Sequence, residues 1–121
     1  MNAQSTYAFY GSLRRGMNNF QHFENSIAFL FEEAIRGFQL YALKDYPYAI
    51  KTGNPSHLLT VEVVRITDKE AEQKIHDLEI TVGYYYDEVV IRGKQVGIFL
   101  FKNAGHETLV KDGDWVKFFG S

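Results

Sequence analysis

The stretch YAFYGSLRRG, residues 7–16, decides how the rest of the chain is interpreted. Its alternating aromatic and small residues at 7–10 predict a short strand, which ends at Gly11. A glycine there permits positive φ and lets a ligand approach main-chain N–H groups closely. Successive N–H groups in such a turn can form a concave site for a carboxylate or an oxyanion. Taken alone, these residues favour the plainer interpretation, a strand-to-helix turn with Arg14 and Arg15 in solvent.

The composition bounds the class of protein. The chain has 121 residues, of which 45% are hydrophobic and 16% aromatic, and this predicts one globular domain over residues 1–121. The formal net charge of −2 gives no global positive field for nucleic acid or an anionic membrane. Cysteine is absent, which excludes disulfides and thiolate metal sites. The first residues lack a signal-peptide pattern, and no run approaches the ~20 apolar residues that cross a bilayer. A cytoplasmic protein is expected.

Apolar periodicity predicts the elements that follow the glycine turn. Asn18 and Asn19 are candidate caps for a helix over residues 20–31, whose apolar residues recur every three or four positions. Residues 35–43 alternate as a strand. Residues 58–66 form a clearer strand, dense in Val, Leu and Ile.

A second helix and a hairpin complete the prediction. Thr67 and Glu70 have the spacing of a capping box, and the helix that they open ends near Gly83. Residues 84–91 and 95–102 read as two strands joined by a tight turn. About five strands and two helices predict an α+β fold with a curled or closed sheet.

Four motifs occur in order along the chain. They are YGSLR with a following glycine (10–16), YAL shortly before DYP (41–47), Glu62-Val63 on the next strand, and GDW (113–115). Together they resemble the gamma-glutamylcyclotransferase-like family, whose members open with a strand that runs into YGSL or YGTL. The resemblance covers almost the whole chain. It implies a small mixed β-barrel flanked by helices, with a pocket at one end.

The resemblance also implies a catalytic glutamate. In this family one glutamate acts as acid and base, and it closes a helix in a pattern like LDxLE. Placing IHDLE, residues 75–79, on the pattern gives this role to Glu79. Starting the pattern at Leu78 would instead place Val82 there and leave an inactive site. We prefer Glu79, because this register keeps both apolar positions of the pattern, Ile75 and Leu78, on the buried stripe that begins at Ala71.

The implied reaction needs little from the protein. The α-amine of a gamma-glutamyl substrate attacks its own γ-carbonyl, expels an amine and forms 5-oxoproline, so no metal, ATP or other cofactor is expected. Intramolecular attack reaches effective molarities of up to ~10⁵–10⁸ M in well-oriented cases. One carboxylate can make both proton transfers, which typically contribute ~10²–10⁴-fold. An apolar pocket would raise the pKa of this carboxylate towards neutrality.

Six residues form the site that the resemblance implies. The glutamate serves as general base and then as general acid. Main-chain N–H groups of the glycine turn bind the substrate carboxylate or the developing oxyanion. Two tyrosines line the pocket, with hydroxyls available as orienting donors. The residues are Glu79, the turn residues Gly11, Ser12 and Leu13, and the tyrosines Tyr10 and Tyr86.

Other ionisable residues receive structural interpretations. Glu62 shares a strand face with apolar residues, and a buried carboxylate needs a partner. It is either a second acid of the pocket or, as we favour, the partner of Arg14, Arg36 or Arg65. The four histidines are scattered without an i, i+4 pair, so no metal site is expected.

Three functions compete at this point. The leading hypothesis is a cyclotransferase that cleaves a gamma-glutamyl amine or amide. The rival is a non-catalytic protein that keeps the pocket and binds a small acidic metabolite. His76 stands where the family usually has aspartate, and Glu88 lies near a usual arginine, which favours the rival. A single-stranded nucleic-acid binder is weakened by the negative net charge. The expected partner is a small gamma-glutamyl-type or acidic metabolite, not a nucleic acid or a membrane.

Overall fold

The computed structural model describes residues 4–120. Within this range the chain forms eight strands and three α-helices, with a short 3₁₀ turn at Glu24–Ser26. The elements in chain order are β1 (Thr6–Phe9), α1 (Asn18–Phe23), β2 (Ile27–Arg36), β3 (Phe38–Ala42), β4 (Pro47–Lys51), β5 (Leu58–Ile66), α2 (Lys69–Val82), β6 (Tyr85–Ile91), β7 (Lys94–Leu100), β8 (Thr108–Val110) and α3 (Trp115–Phe119).

The strands form two hydrogen-bonded ladders around one core. The larger has the order β2-β5-β1-β7-β6, and the smaller has the order β4-β3-β8. The N–H of Phe101, just after β7, donates to the carbonyl of Ala49 in β4 at 2.9 Å, and Thr60 of β5 donates to Gly113 at 2.8 Å. These bonds connect the two ladders, so the sheet is barrel-like. The predicted α+β class is confirmed.

Strand β1 lies at the centre of the larger ladder. It pairs antiparallel with β5 and parallel with β7, and all four of its residues are buried. Helix α2 packs on the core through Ala71 and Ile75, as the predicted apolar stripe requires, but Leu78 is 38% exposed, so its predicted place on that stripe is wrong. The end of β1 and the last turns of α2 are the two places from which the site described below is built.

The predicted helix over residues 20–31 is wrong in its second half. Helix α1 ends at Phe23, and β2 begins at Ile27. The register of β2 against β5 shifts between Phe29 and Phe31, which leaves Leu30 as an extra residue. Such a bulge interrupts the two-residue alternation of a strand. The apolar residues of this strand therefore recur at spacings that resemble a helical face.

Two further boundaries differ from the sequence prediction. The predicted strand over residues 35–43 is divided at Gly37, between β2 and β3. At the start of α2 the cap is Asp68, whose carboxylate accepts the N–H of Glu70 at 3.0 Å, so the predicted capping box at Thr67 is wrong. Gly83 does end α2, as predicted.

The hairpin formed by β6 and β7 is confirmed. The two strands pair antiparallel from Tyr85↔Leu100 to Ile91↔Lys94. Both residues of the connecting turn have positive φ, 52° at Arg92 and 78° at Gly93. This is the conformation that two-residue hairpin turns favour.

None of the helices between residues 4 and 120 has both the length and the apolar character that a membrane crossing requires.

Candidate active site

The glycine turn follows β1 directly. The carbonyl of Gly11 accepts the N–H of Arg14 at 3.0 Å, and the carbonyl of Ser12 accepts the N–H of Asn19 at 3.1 Å. None of the hydrogen bonds found in the described part of the chain uses the N–H groups of Gly11, Ser12 or Leu13. The turn therefore presents three consecutive main-chain donors.

Gly11 is required for close packing rather than for a left-handed backbone. A Cβ at this position would lie 2.7 Å from both Cγ and Cδ of Pro47, closer than real Cβ contacts allow. The positive φ in this segment occurs instead at Gly16, at 83°. The absence of a side chain at Gly11 lets the turn pack against the start of β4.

Arg14 holds the turn in place through ion pairs with three carboxylates. It is only 3% exposed, so the expectation that it lies in solvent is wrong. Its Nε donates to Oε2 of Glu62 at 3.0 Å, and its Nη1 and Nη2 donate to Asp114 at 2.8 Å and Glu32 at 3.3 Å. The prediction that Glu62 pairs with an arginine is confirmed, and of the three candidates the partner is Arg14. The other oxygen of Glu62 accepts the main-chain N–H of Arg15 at 3.0 Å, which fixes the end of the turn.

A pocket of about 320 Å³, measured with its open mouth, lies beside this turn. Five of the six residues named from the sequence line it, namely Tyr10, Gly11, Ser12, Leu13 and Glu79. The other lining residues are Ala8, Phe9, Pro47, Tyr84 and Phe99.

Helix α2 carries Glu79 to this pocket. Glu79 lies four residues after the buried Ile75 and therefore on the same helix face. Its side chain is partly buried, and burial raises its pKa to about 7. A group with this pKa is present in both protonation states at neutral pH, as a general acid and base requires. Val82, the candidate of the alternative register, is not among the residues that line this pocket.

The two tyrosines of the pocket donate their hydroxyl protons to the main chain. Tyr10 Oη donates to the carbonyl of Phe99 and accepts the N–H of Ala49 at 3.1 Å. Tyr84 Oη donates to the carbonyl of Pro47. Burial raises the pKa of both tyrosines, so both stay neutral. The expectation that the hydroxyl of Tyr10 is available to orient substrate is wrong, because its proton is already shared, although its ring lines the pocket.

Tyr86 does not line the pocket, and Tyr84 occupies the place expected for it. The hydroxyl of Tyr86 donates to Oε2 of Glu88 at 2.7 Å, and its ring lies 5.2 Å from the ring of His76. Sequence reasoning missed Tyr84. Residues 84–86 are all tyrosine, and nothing in that run distinguishes the one that faces the pocket.

His76 belongs to a buried network next to the pocket. Its Nε2 lies 2.8 Å from the hydroxyl of Tyr7, and this hydroxyl donates to the carboxylate of Glu72. The same carboxylate accepts the hydroxyl of Ser5 at 2.7 Å. Burial lowers the pKa of His76 and so favours the neutral ring. The histidine that replaces the usual aspartate is therefore a hydrogen-bonded core residue rather than a wall of the pocket.

Comparison with known proteins finds a matching family and several similar structures. Residues 7–117 match the sequence model of the family described as gamma-glutamyl cyclotransferase, AIG2-like. A protein of Pyrococcus horikoshii named "Putative gamma-glutamylcyclotransferase PH0828" is 32% identical over 108 residues, which cover 89% of this chain and 88% of that protein. Its crystal structure has a TM-score of 0.78 to this chain at 31% identity, over 93% and 91% of the two chains.

Two proteins of Escherichia coli have the same fold. The solution structure of ytfP has a TM-score of 0.73 at 26% identity, over 93% of this chain and 97% of that one. The crystal structure of c4763, a protein specific to uropathogenic strains, has a TM-score of 0.78 at 19% identity, over 96% and 95%. The family match over residues 7–117 and the 32% identical relative of Pyrococcus horikoshii show that the chain belongs to the AIG2-like gamma-glutamyl cyclotransferase family.

Proposed function

We propose that this protein cleaves a gamma-glutamyl amine or amide and releases 5-oxoproline, with Glu79 as the general base and acid. The observation that carries the proposal is the shared pocket. It combines a carboxyl group whose pKa is raised to about 7 with three main-chain N–H groups that no acceptor in the described chain uses. Membership of the family supports cyclotransferase activity in general.

The proposed reaction uses one carboxyl group twice. The ionised Glu79 takes a proton from the substrate ammonium, and the free amine attacks the γ-carbonyl carbon. The N–H groups of the glycine turn stabilise the oxyanion that develops, or hold the substrate carboxylate. One C–N bond forms and another breaks. The nitrogen that closes the ring gives up its second proton as this bond breaks, and Glu79 passes both protons to the departing nitrogen, which leaves as an ammonium ion, so the reaction consumes no water.

The walls of the pocket suit this use of Glu79. The rings of Tyr10, Tyr84 and Phe99 line the pocket. The hydroxyl of Tyr10 donates to the carbonyl of Phe99, and the hydroxyl of Tyr84 donates to the carbonyl of Pro47, so neither hydroxyl proton is free. Such walls exclude water from the carboxyl group and favour its neutral form. They also restrict the substrate to a compact conformer, which is the one that brings amine and carbonyl together.

The rival hypothesis, a binding protein without turnover, was favoured by two departures from the family pattern. His76 lies in the buried network with Tyr7 and Glu72, and Glu88 accepts the hydroxyl of Tyr86. Neither residue lines the pocket. These departures therefore leave the groups assigned to the reaction in place.

The test is release of 5-oxoproline from a panel of gamma-glutamyl amino acids, gamma-glutamyl-lysine and gamma-glutamyl amines. We expect product from at least one conjugate and a loss of about 10²–10⁴-fold in kcat for Glu79→Gln, the usual contribution of such proton transfers. Glu70→Gln is the matched control, because Glu70 lies on the same helix with its side chain 79% exposed. No product from any conjugate, or equal rates for Glu79→Gln and the wild type, would overturn the proposal.

A further inference from the structure

A second cavity, of about 440 Å³ measured with its open mouth, adjoins the candidate active site. Ser12, Glu79 and Tyr84 line both cavities. Glu79 therefore stands where the two cavities meet. The walls that belong to the second cavity alone are Asn19, Tyr46, Leu78 and Val82.

The two aliphatic walls are exposed and are not among the described residues that form the core or pack against it. Leu78 and Val82 are four residues apart on α2 and so lie next to each other on its surface. They are 38% and 41% exposed, and Leu78 does not belong to the buried stripe on which the sequence placed it. With the ring of Tyr46 they give the second cavity an apolar wall. Exposed apolar side chains gathered at a cavity are typical of a binding surface.

The position of Glu79 between the two cavities suits a substrate that places one half in each cavity. In the proposed reaction the acid must reach both the α-amine of the glutamyl group and the nitrogen that leaves. If the glutamyl group lies against the glycine turn, the leaving amine extends past Glu79 on its other side. That side is the second cavity.

We propose that the second cavity holds the leaving amine and selects an apolar or aromatic amine over one that carries a carboxylate. This inference rests on the proposed function. Leu78, Val82 and Tyr46 offer contacts to an alkyl or aryl group. The acid among the lining residues is Glu79, which in its ionised form repels a second carboxylate. Burial of a charged leaving group against aliphatic walls is unfavourable as well.

The experiment compares kcat/KM for 5-oxoproline release from three conjugates: gamma-glutamyl-isopentylamine, gamma-glutamyl-phenethylamine and gamma-glutamyl-glutamate. We expect the two apolar conjugates to exceed the third by about tenfold or more, which is the discrimination that a few apolar contacts provide. Val82→Lys should lower kcat/KM for the apolar conjugates and raise it for gamma-glutamyl-glutamate. Ile80→Lys is the matched control, because Ile80 lies on the same helix, is 53% exposed and lines neither cavity. It should leave the ratio unchanged.

The outcomes separate the two proposals. Absence of product from every conjugate would refute the proposed function itself. Product formed equally well or better from gamma-glutamyl-glutamate would overturn only the assignment of the second cavity. Both variants place a cation on an exposed part of α2, but only Val82 lines the second cavity. If neither variant changes the ratio of kcat/KM for the apolar conjugates to kcat/KM for gamma-glutamyl-glutamate, the assignment of the second cavity is overturned too.

Discussion

Replacing Glu79 with glutamine should stabilise the protein at neutral pH while it removes activity. Burial raises the pKa of Glu79 from 4.5 to about 7 in the folded protein, so the folded state binds this proton more tightly than the unfolded state. The free energy of unfolding of the wild type therefore falls as pH rises from 4.5 to about 7. At 1.36 kcal/mol for each pKa unit, the shift corresponds to about 3 kcal/mol. Glutamine keeps the shape of the protonated side chain and cannot ionise.

The assay is urea unfolding of both proteins at several pH values between about 4 and 8, with free energies from linear extrapolation. Comparison at each pH cancels the titration of all other groups. Below pH 4.5 the two proteins should be similar, and above pH 7 the variant should be more stable by about 3 kcal/mol. Glu70→Gln should produce no comparable difference, because Glu70 is exposed.

A difference between wild type and Glu79→Gln that does not change with pH would refute the reasoning. It would mean that folding does not desolvate the carboxyl group. The proposed acid and base would then lack the raised pKa on which its double role depends.

Three further predictions concern the turn and the rate of reaction. Arg14→Met should lower the free energy of unfolding by about 3–5 kcal/mol, because it leaves the buried Glu62 without its main cation. Urea unfolding measures this loss, and a loss below about 1 kcal/mol would contradict the prediction. Gly11→Ala should lower the free energy of unfolding by about 1–3 kcal/mol and reduce kcat/KM, because the new Cβ would lie 2.7 Å from the ring of Pro47. Unchanged kinetics would show that the turn does not bind substrate. The kcat/KM of the wild type should rise with pH around a midpoint near 7, since the base must be ionised, and a midpoint near 4.5 would contradict the assignment of Glu79.

Local patterns allowed much of the fold to be predicted from the sequence. Short stretches of sequence are enough to identify two elements: β5, from its continuous apolar run, and the β6–β7 hairpin, from the tight turn at Arg92 and Gly93. The same holds for most of α2, in which Ala71 and Ile75 are buried and Gly83 ends the helix, although Leu78 is exposed. These elements were located to within a few residues.

The structure of β2 could not be predicted, because its pattern depends on its partner. The bulge at Leu30 exists only in the ladder with β5, and without that ladder the spacing of apolar residues indicates a helix. For the same reason the charged environment of Arg14 could not be predicted in full. Glu62 could be named as a partner, but Glu32 and Asp114 carry no local signal of the contact.

The parts of the site that belong to short sequence motifs could be predicted, and the other parts could not. The glycine turn and Glu79 come from short patterns, and the structure brings them to one pocket. The choice between Tyr84 and Tyr86 depends on where β6 begins, which a run of three tyrosines does not indicate. The second cavity depends on α2 lying beside the loop that holds Tyr46, a long-range arrangement.

The contacts of Arg14 have a consequence for the order in which the molecule assembles. Its three acidic partners lie 18, 48 and 100 residues further along the chain. Contacts of such long sequence separation form late, because the entropy of closing a long loop is lost before they can stabilise anything. We therefore expect that in a growing chain the glycine turn is synthesised early and takes its final orientation only after Asp114 has docked. On this reasoning we expect the proposed activity to be among the last properties that the folding protein acquires.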